Sequence, residues 1–272
     1  MEPVISISLG AGVQSSCMAL MAAAGELRPM PNFALFADTG WEPKAVYEWL
    51  DTLRALLPFP IHVVGKGNLR NDTLALARAT NNGRFVTIPW FFSNGGMGRR
   101  QCTKDYKVAP MIAELRVRLG YKPRKRIPIG SVESWIGISL DECHRMKPSS
   151  DRWITHRWPL VELGMKRADC QRWLSEHGYK APGRSACLGC PYHSNAYWRK
   201  LKMESPDEWQ ETVEVDTALR ERGPRKGVEF LEYMHSSRTP LADVDLRTDV
   251  ERGQTVLFED GFGNECEGLC GV

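Results

Sequence analysis

The feature that most constrains the fold of this sequence is a β-rich run at its start that passes through glycines into a helix. Val4-Ile5-Ser6-Ile7 continues through Ser8-Leu9-Gly10-Ala11-Gly12-Val13-Gln14-Ser15-Ser16 into Cys17-Met18-Ala19-Leu20-Met21. Phe33-Ala34-Leu35-Phe36 reads as a second buried strand, and Ile61-His62-Val63-Val64 as a third. Between them Pro43 suits a helix start, and the helix after it places Val46, Trp49, Leu50, Leu53 and Leu57 on one face. Strands that alternate with helices predict a parallel sheet covered on both faces.

Further along, residues 81–100 are rich in Gly, Asn and aromatics and read as a long functional loop. A helix follows with Val108, Ile112, Leu115 and Leu119 on its apolar face, and a strand is expected near Trp135-Ile136-Gly137-Ile138. Residues 167–177, 195–203 and 206–222 look helical. The last forty or so residues have weak periodicity and read as a tail over the domain. The 272 residues suffice for one large domain, or one domain with a small appendage.

The net charge of +3 is too small to imply nucleic-acid binding by itself. No basic segment leading into an apolar one is visible at Met1-Glu2-Pro3-Val4, and the apolar stretch near residues 17–24 is far too short to span a bilayer. The expectation is a cytoplasmic protein without a membrane partner. Eight cysteines then favour metal binding or redox chemistry over a disulfide framework.

Three elements carry chemistry. The loop of Ser8, Gly10, Ala11, Gly12, Gln14 and Ser15 offers backbone N–H groups and the positive end of a helix, which suits phosphate or sulfate. Glycines kept for packing are an equally good reading of that loop alone, which is neither GxGxxG nor Walker A. Asp38-Thr39-Gly40-Trp41-Glu42 follows the second strand, so its polar groups point into the same crevice; the bland reading is an Asx-capped turn. Cys187-Leu188-Gly189-Cys190 has metal-ligand spacing, with Cys102 far upstream and His193 close by. A zinc half-site and a thioredoxin-like redox pair are the plainer readings, although the surroundings are not a thioredoxin-like βαβ unit.

Taken in order, these residues resemble the phosphoadenylylsulfate (PAPS) and adenylylsulfate (APS) reductases of the PP-loop superfamily. Asp38-Thr39-Gly40 resembles that family's second motif. Gln101-Cys102, with Lys107 and Pro110 after it, resembles its Cys-Cys segment with the first cysteine lost. Gly137-Ile138-Ser139-Leu140-Asp141-Glu142 with Arg145 is similar to its Gly-rich strand end, and Pro159-Leu160-Val161-Glu162 to its Pro-Leu segment. Ser185-Ala186-Cys187-Leu188-Gly189-Cys190-Pro191 is similar to its cluster-binding Cys-x-x-Cys, and Glu265-Cys266-Glu267-Gly268-Leu269-Cys270 to its C-terminal tail. The match runs over most of the chain.

The resemblance implies a doubly wound α/β fold of the adenine nucleotide alpha hydrolase-like type with an irregular α-rich C-terminal extension. The nucleotide-binding domain is expected over 1–190, and a helical extension with the cysteine-containing tail over 191–272. The ligand implied is an adenine nucleotide (PAPS, APS or ATP), held by the first glycine loop, Asp38, Thr39, Gly40 and Gly137. A 4Fe-4S cluster is implied on Cys102, Cys187 and Cys190, with zinc as the alternative and Cys143 or Cys170 as a completing ligand. Two departures matter. Gln14 stands where PP-loop pyrophosphatases carry Asp, and Gln101 where cluster-binding APS reductases carry Cys.

Three functions follow as expectations. In the first, Cys266, or else Cys270, attacks the sulfur of an adenylyl sulfate, Arg99, Arg100 or Arg145 neutralises the phosphosulfate, and a thioredoxin-like partner releases sulfite. In the second, ATP activates a base of a tRNA or DNA for thiolation through an open iron. In the third, the chain senses a nucleotide without catalysis. The run Lys122 to Arg126 reads as a solvated face. Trp90, Phe91 and Phe92 read either as a base-stacking platform or as a loop anchored in a core.

Overall fold

The computed structural model describes residues 2–78, 88–180, 182–183, 185–222, 229–247 and 251–252. In chain order its strands are β1 Val4–Leu9, β2 Phe33–Ala37, β3 Ile61–Val64, β4 Phe91–Phe92, β5 Val132–Ile136, β6 Ile154–Arg157 and β7 Glu232–Tyr233. Its α-helices are α1 Val13–Ala24, α2 Lys44–Leu56, α3 Leu69–Arg78, α4 Ala109–Arg118, α5 Pro159–Glu162, α6 Arg167–Glu176, α7 Asn195–Glu204 and α8 Pro206–Glu221. They form two compact units. One holds the chain up to Lys66 together with Thr103–Ala186, and the other holds Gly67–Cys102 together with the described chain from Cys187 onward.

The first unit is an α/β structure around a five-stranded, all-parallel sheet of order β3-β2-β1-β5-β6. All five residues of β2, and five of the six in β1, are buried, the pattern of strands covered on both faces. Each face has its own core. Ile5, Ile7, Leu9, Ala34 and Phe36 pack with Met18, Leu50, Leu53 and Leu174 from α1, α2 and α6. Phe33, Leu35, Ala37, Val132 and Ile136 pack on the other face with Met111 and Leu115 of α4. The register Ile7↔Ala34 and Leu9↔Phe36 keeps the two sets apart, because side chains alternate faces with period two.

The expected face of α2 is observed: Val46, Leu50, Leu53 and Leu57 are buried and Trp49 packs against them. The helix expected around residues 108–119 instead begins with a π-helical turn, Thr103–Val108. The expected face holds: Val108 and Leu115 are buried and Ile112 and Leu119 pack against the same core, with Met111 added to it. Strand β5 ends at Ile136, one residue before Gly137.

The second unit packs α3 against α8 and carries the antiparallel β4–β7 ribbon. Arg70 and Arg78 both pair with Glu214, fixing α3 on α8. Asp216 on α8 is fully buried and accepts N–H groups from Met234 at 3.0 Å and Leu241 at 2.7 Å. Trp90 is buried and Phe91–Phe92 pairs with Glu232–Tyr233, so this aromatic run is anchored within its own unit. Among the described residues no helix is long and apolar enough to cross a membrane.

One close approach shapes the first unit. A Cβ added at Gly137 would lie 2.8 Å from both Cα and N of Ser15, in the first turn of α1. Gly137→Ala is therefore expected to destabilise the protein by about 1–3 kcal/mol, the usual cost of overpacking. Gly183, with nothing near its added Cβ, is the control. Urea unfolding of both variants checks this, and equal stabilities would contradict it.

Candidate functional site

Three loops gather at the carboxyl ends of the parallel strands. The first follows β1. Leu9 gives way to Gly10, then to Ala11 in a left-handed conformation (φ 56°), then to Gly12, which caps α1 in extended geometry. The Gly10 N–H donates to Ser15 Oγ at 3.2 Å, folding the loop back onto the helix start. Ser8, expected in this loop, lies within β1 between Leu35 and Ile136 and is buried.

The second loop follows β2. Asp38 Oδ1 accepts the Gly40 N–H at 2.7 Å and the Tyr47 hydroxyl at 2.8 Å. Burial, helped by the Asp38 carboxylate, pushes the Tyr47 phenol well above its usual range. Thr39 donates to Glu42 at 3.0 Å, and Glu42 pairs with Lys107 at 3.1 Å, with both side chains buried. Neither Tyr47 nor the role of Lys107 was legible in the sequence. The only local signal for Tyr47 is its place in the first turn of the helix after the Asp-Thr-Gly turn.

The third loop follows β5, on the other side of β1. Gln14 is fully buried, and its amide is held at both ends. Its Oε1 accepts from Arg167 at 2.9 Å and its Nε2 donates to Glu142 at 3.0 Å. Glu142 also binds Arg145 at 2.8 Å, and Asp141 accepts from the Ser139 hydroxyl at 2.6 Å and the Arg167 N–H at 3.1 Å. Gln14 and Arg145 of the expected set therefore belong to one network, with Arg167, Ser139 and Glu142 added to it, and Gly137 packs beside it against Ser15. These loops lie where the strand order turns back at β1, the place in such sheets where ligands bind.

The expected metal ligands lie in the second unit. Arg100 sits over the Tyr192 ring, 5.5 Å from its centroid. Burial pushes the Tyr192 phenol up; Arg100 opposes the shift, and the thiols of Cys190 and Cys102 add to it. Arg100 thus lies on that ring, and Cys102 and Cys190 lie within its electrostatic reach. Cys187 shares a turn with Cys190, whose N–H donates to the Cys187 carbonyl at 3.1 Å. His193 Nε2 lies 2.9 Å from that same carbonyl, and the imidazole stacks on Tyr197 with ring centroids 3.5 Å apart. His193 therefore braces the Cys-x-x-Cys turn. The thiols have the donor chemistry of an iron–sulfur cluster or a zinc ion, but among the described residues no group of three Cys, His, Asp or Glu is arranged to hold a metal ion.

Arg99 is exposed in the same unit. Cys143 is exposed in the first unit, in the turn Leu140–Arg145. Cys170 is fully buried there, where a hydrogen bond with Cys17 and then burial push its thiol far up, as befits a core residue. Cys266 and Cys270 lie outside the described residues. No family model matches the sequence, and no curated protein matches it at a significant level.

The Glu42–Lys107 pair gives a direct test of this architecture. Lys107→Met leaves a buried carboxylate uncompensated and is expected to cost about 3–5 kcal/mol. The double variant Lys107→Met, Glu42→Leu is expected to regain most of that loss in urea unfolding. A single variant as stable as wild type would contradict the buried pairing.

Proposed function

We propose that the chain is an enzyme that binds an adenine nucleotide at the carboxyl edge of its parallel sheet and uses it in sulfur chemistry, with reduction of an adenylyl sulfate as the leading reading. The observation that carries this is the meeting of the Gly10–Ser15 loop, the Asp38 turn and the Gly137–Arg145 segment around β1. Backbone N–H groups at the start of α1 suit a phosphosulfate, and the neighbouring loops suit the nucleoside. The fold implied is of the adenine nucleotide alpha hydrolase-like type.

Gln14 favours a sulfonucleotide over Mg-ATP. The position offers an amide rather than a carboxylate, and that amide is already held by Arg167 and Glu142. Arg145, paired with Glu142, and Arg167, on Gln14, are the guanidinium groups nearest the loop that could turn to an anionic ligand.

In the reductive reading a cysteine thiolate attacks the sulfur of the bound nucleotide. The bond from sulfur to the bridging oxygen breaks, its electron pair leaves with the nucleotide phosphate, and the enzyme carries an S-sulfocysteine. A thioredoxin-like dithiol then attacks the cysteine sulfur, releases sulfite and ends as a disulfide. Cys266 is the first choice for the nucleophile and Cys270 the second. Cys102, Cys187 and Cys190 are the residues that would hold an iron–sulfur cluster or zinc, which would supply charge or an iron site beside Arg100. The second reading, thiolation of a tRNA or DNA, draws its support from Gln101 in place of a further thiolate.

Incubation with APS or PAPS is expected to add a sulfonate mass at Cys266 or Cys270, absent from the Cys266→Ser, Cys270→Ser variant. Gly12→Val, which puts a branched side chain at the α1 cap, is expected to weaken nucleotide binding by about tenfold or more. No adduct on the wild type, together with AMP and a thiolated base from ATP and a nucleic acid, would replace reduction with thiolation.

A further inference from the structure

The opposite edge of the first unit carries a second feature that the nucleotide reading does not use. Four of the five residues from Lys122 to Arg126 are basic: Lys122, Arg124, Lys125 and Arg126. All four are exposed, on the segment that joins α4 to β5. Arg152, also exposed, precedes β6. Because the sheet is parallel, the approaches to β5 and β6 lie at its amino edge. The glycine loops lie at the other edge, about 15 Å away at roughly 3.3 Å per strand residue.

This basic segment is held in shape from below. The Arg116 guanidinium on α4 donates to the carbonyls of Lys122, at 3.4 Å, and of Lys125. The Lys125 N–H closes a turn onto the Lys122 carbonyl at 3.2 Å, and Arg124 takes a left-handed conformation (φ 65°). Arg116 also sits 5.9 Å from the centre of the Trp153 ring, next to Arg152, which brings the segment and Arg152 together. The backbone carbonyls are thus turned inward onto Arg116, and the cationic side chains remain outside.

Nearby acids offset this charge only in part. Glu114 on α4 pairs with Arg118 at 2.8 Å, and Asp151 accepts the Trp153 indole N–H at 3.1 Å. Among the described residues no carboxylate pairs with Lys122, Arg124, Lys125, Arg126 or Arg152. Five closely set cations without acidic partners match a ligand with closely spaced single negative charges. The segment has no exposed aromatic ring for unstacked bases, so contact with phosphates alone is the fitting mode.

We propose that the amino edge of the sheet, through Lys122, Arg124, Lys125, Arg126 and Arg152, binds the phosphate backbone of a nucleic-acid duplex without reading its sequence. This surface is separate from the crevice and does not depend on which nucleotide the crevice takes.

The test is fluorescence anisotropy of the full chain with a labelled mixed-sequence DNA duplex over a series of salt concentrations. Neutralising about three or more phosphates gives a slope of log affinity on log salt of about −3 or steeper. Lys122→Gln, Lys125→Gln is expected to bind at least tenfold more weakly, with a slope shallower by about 2. Lys122→Arg, Lys125→Arg is expected to keep wild-type binding, and thermal unfolding verifies that both variants are folded. Lys200→Gln, a cation in the second unit, is expected to change nothing. The proposal is overturned by a duplex that does not bind at low salt, by loop variants that bind as wild type does, or by polyglutamate that competes as well as unlabelled duplex. The last result would assign the surface to an acidic protein.

Discussion

The approach of Gly137 to the backbone of Ser15 is the constraint on which the candidate site depends. It allows the strand after the crossover to run close beside the start of α1, with no side chain between them. Beside that contact the Gln14 amide donates to Glu142 and accepts from Arg167, residues that lie 128 and 153 positions away. The missing side chain at Gly137 thus lets two of the loops at β1 close together, and the polar network lies beside that contact.

The charges in the first unit follow a consistent logic. Carboxylates at the site are engaged: Asp38 by Gly40 and Tyr47, Glu42 by Thr39 and Lys107, Glu142 by Gln14 and Arg145. Of these only Glu42 is buried, and it is the one matched by an equally buried cation, Lys107. The helix start at Gly12, with no acid in its first turn, keeps its positive end toward the loop. An anion held there meets dipoles and arginines that are already in place, the condition for electrostatic stabilisation of reacting charge.

The sequence makes the local parts of this picture legible. The first strands, the glycine loop and the buried face of α2 are readable because hydrophobic period and glycine placement act over a few residues. Strand β6 escapes such reading, since Ile-Thr-His-Arg has little apolar pattern and owes its place to pairing with β5. Helix α3 and the two-residue ribbon strands also depend on distant partners, α8 for one and each other for the rest. The π-turn before α4 inserts a wider turn that no period in the residues announces. At the site, Asp38, Gly137 and Arg145 could be picked out by motif, whereas Tyr47, Arg167 and the Glu42–Lys107 pair become visible only once folding has joined remote segments.

The central claim is that an adenine nucleotide binds across the loops at the carboxyl ends of β1, β2 and β5. Hydrogen–deuterium exchange of the full chain, with and without APS or PAPS, tests it most directly. The account expects new protection in peptides covering residues 10–16, 38–42 and 137–145, with the amino-edge segment 121–129 unchanged. Protection confined to other segments, or no change at a nucleotide concentration that saturates binding, would contradict it.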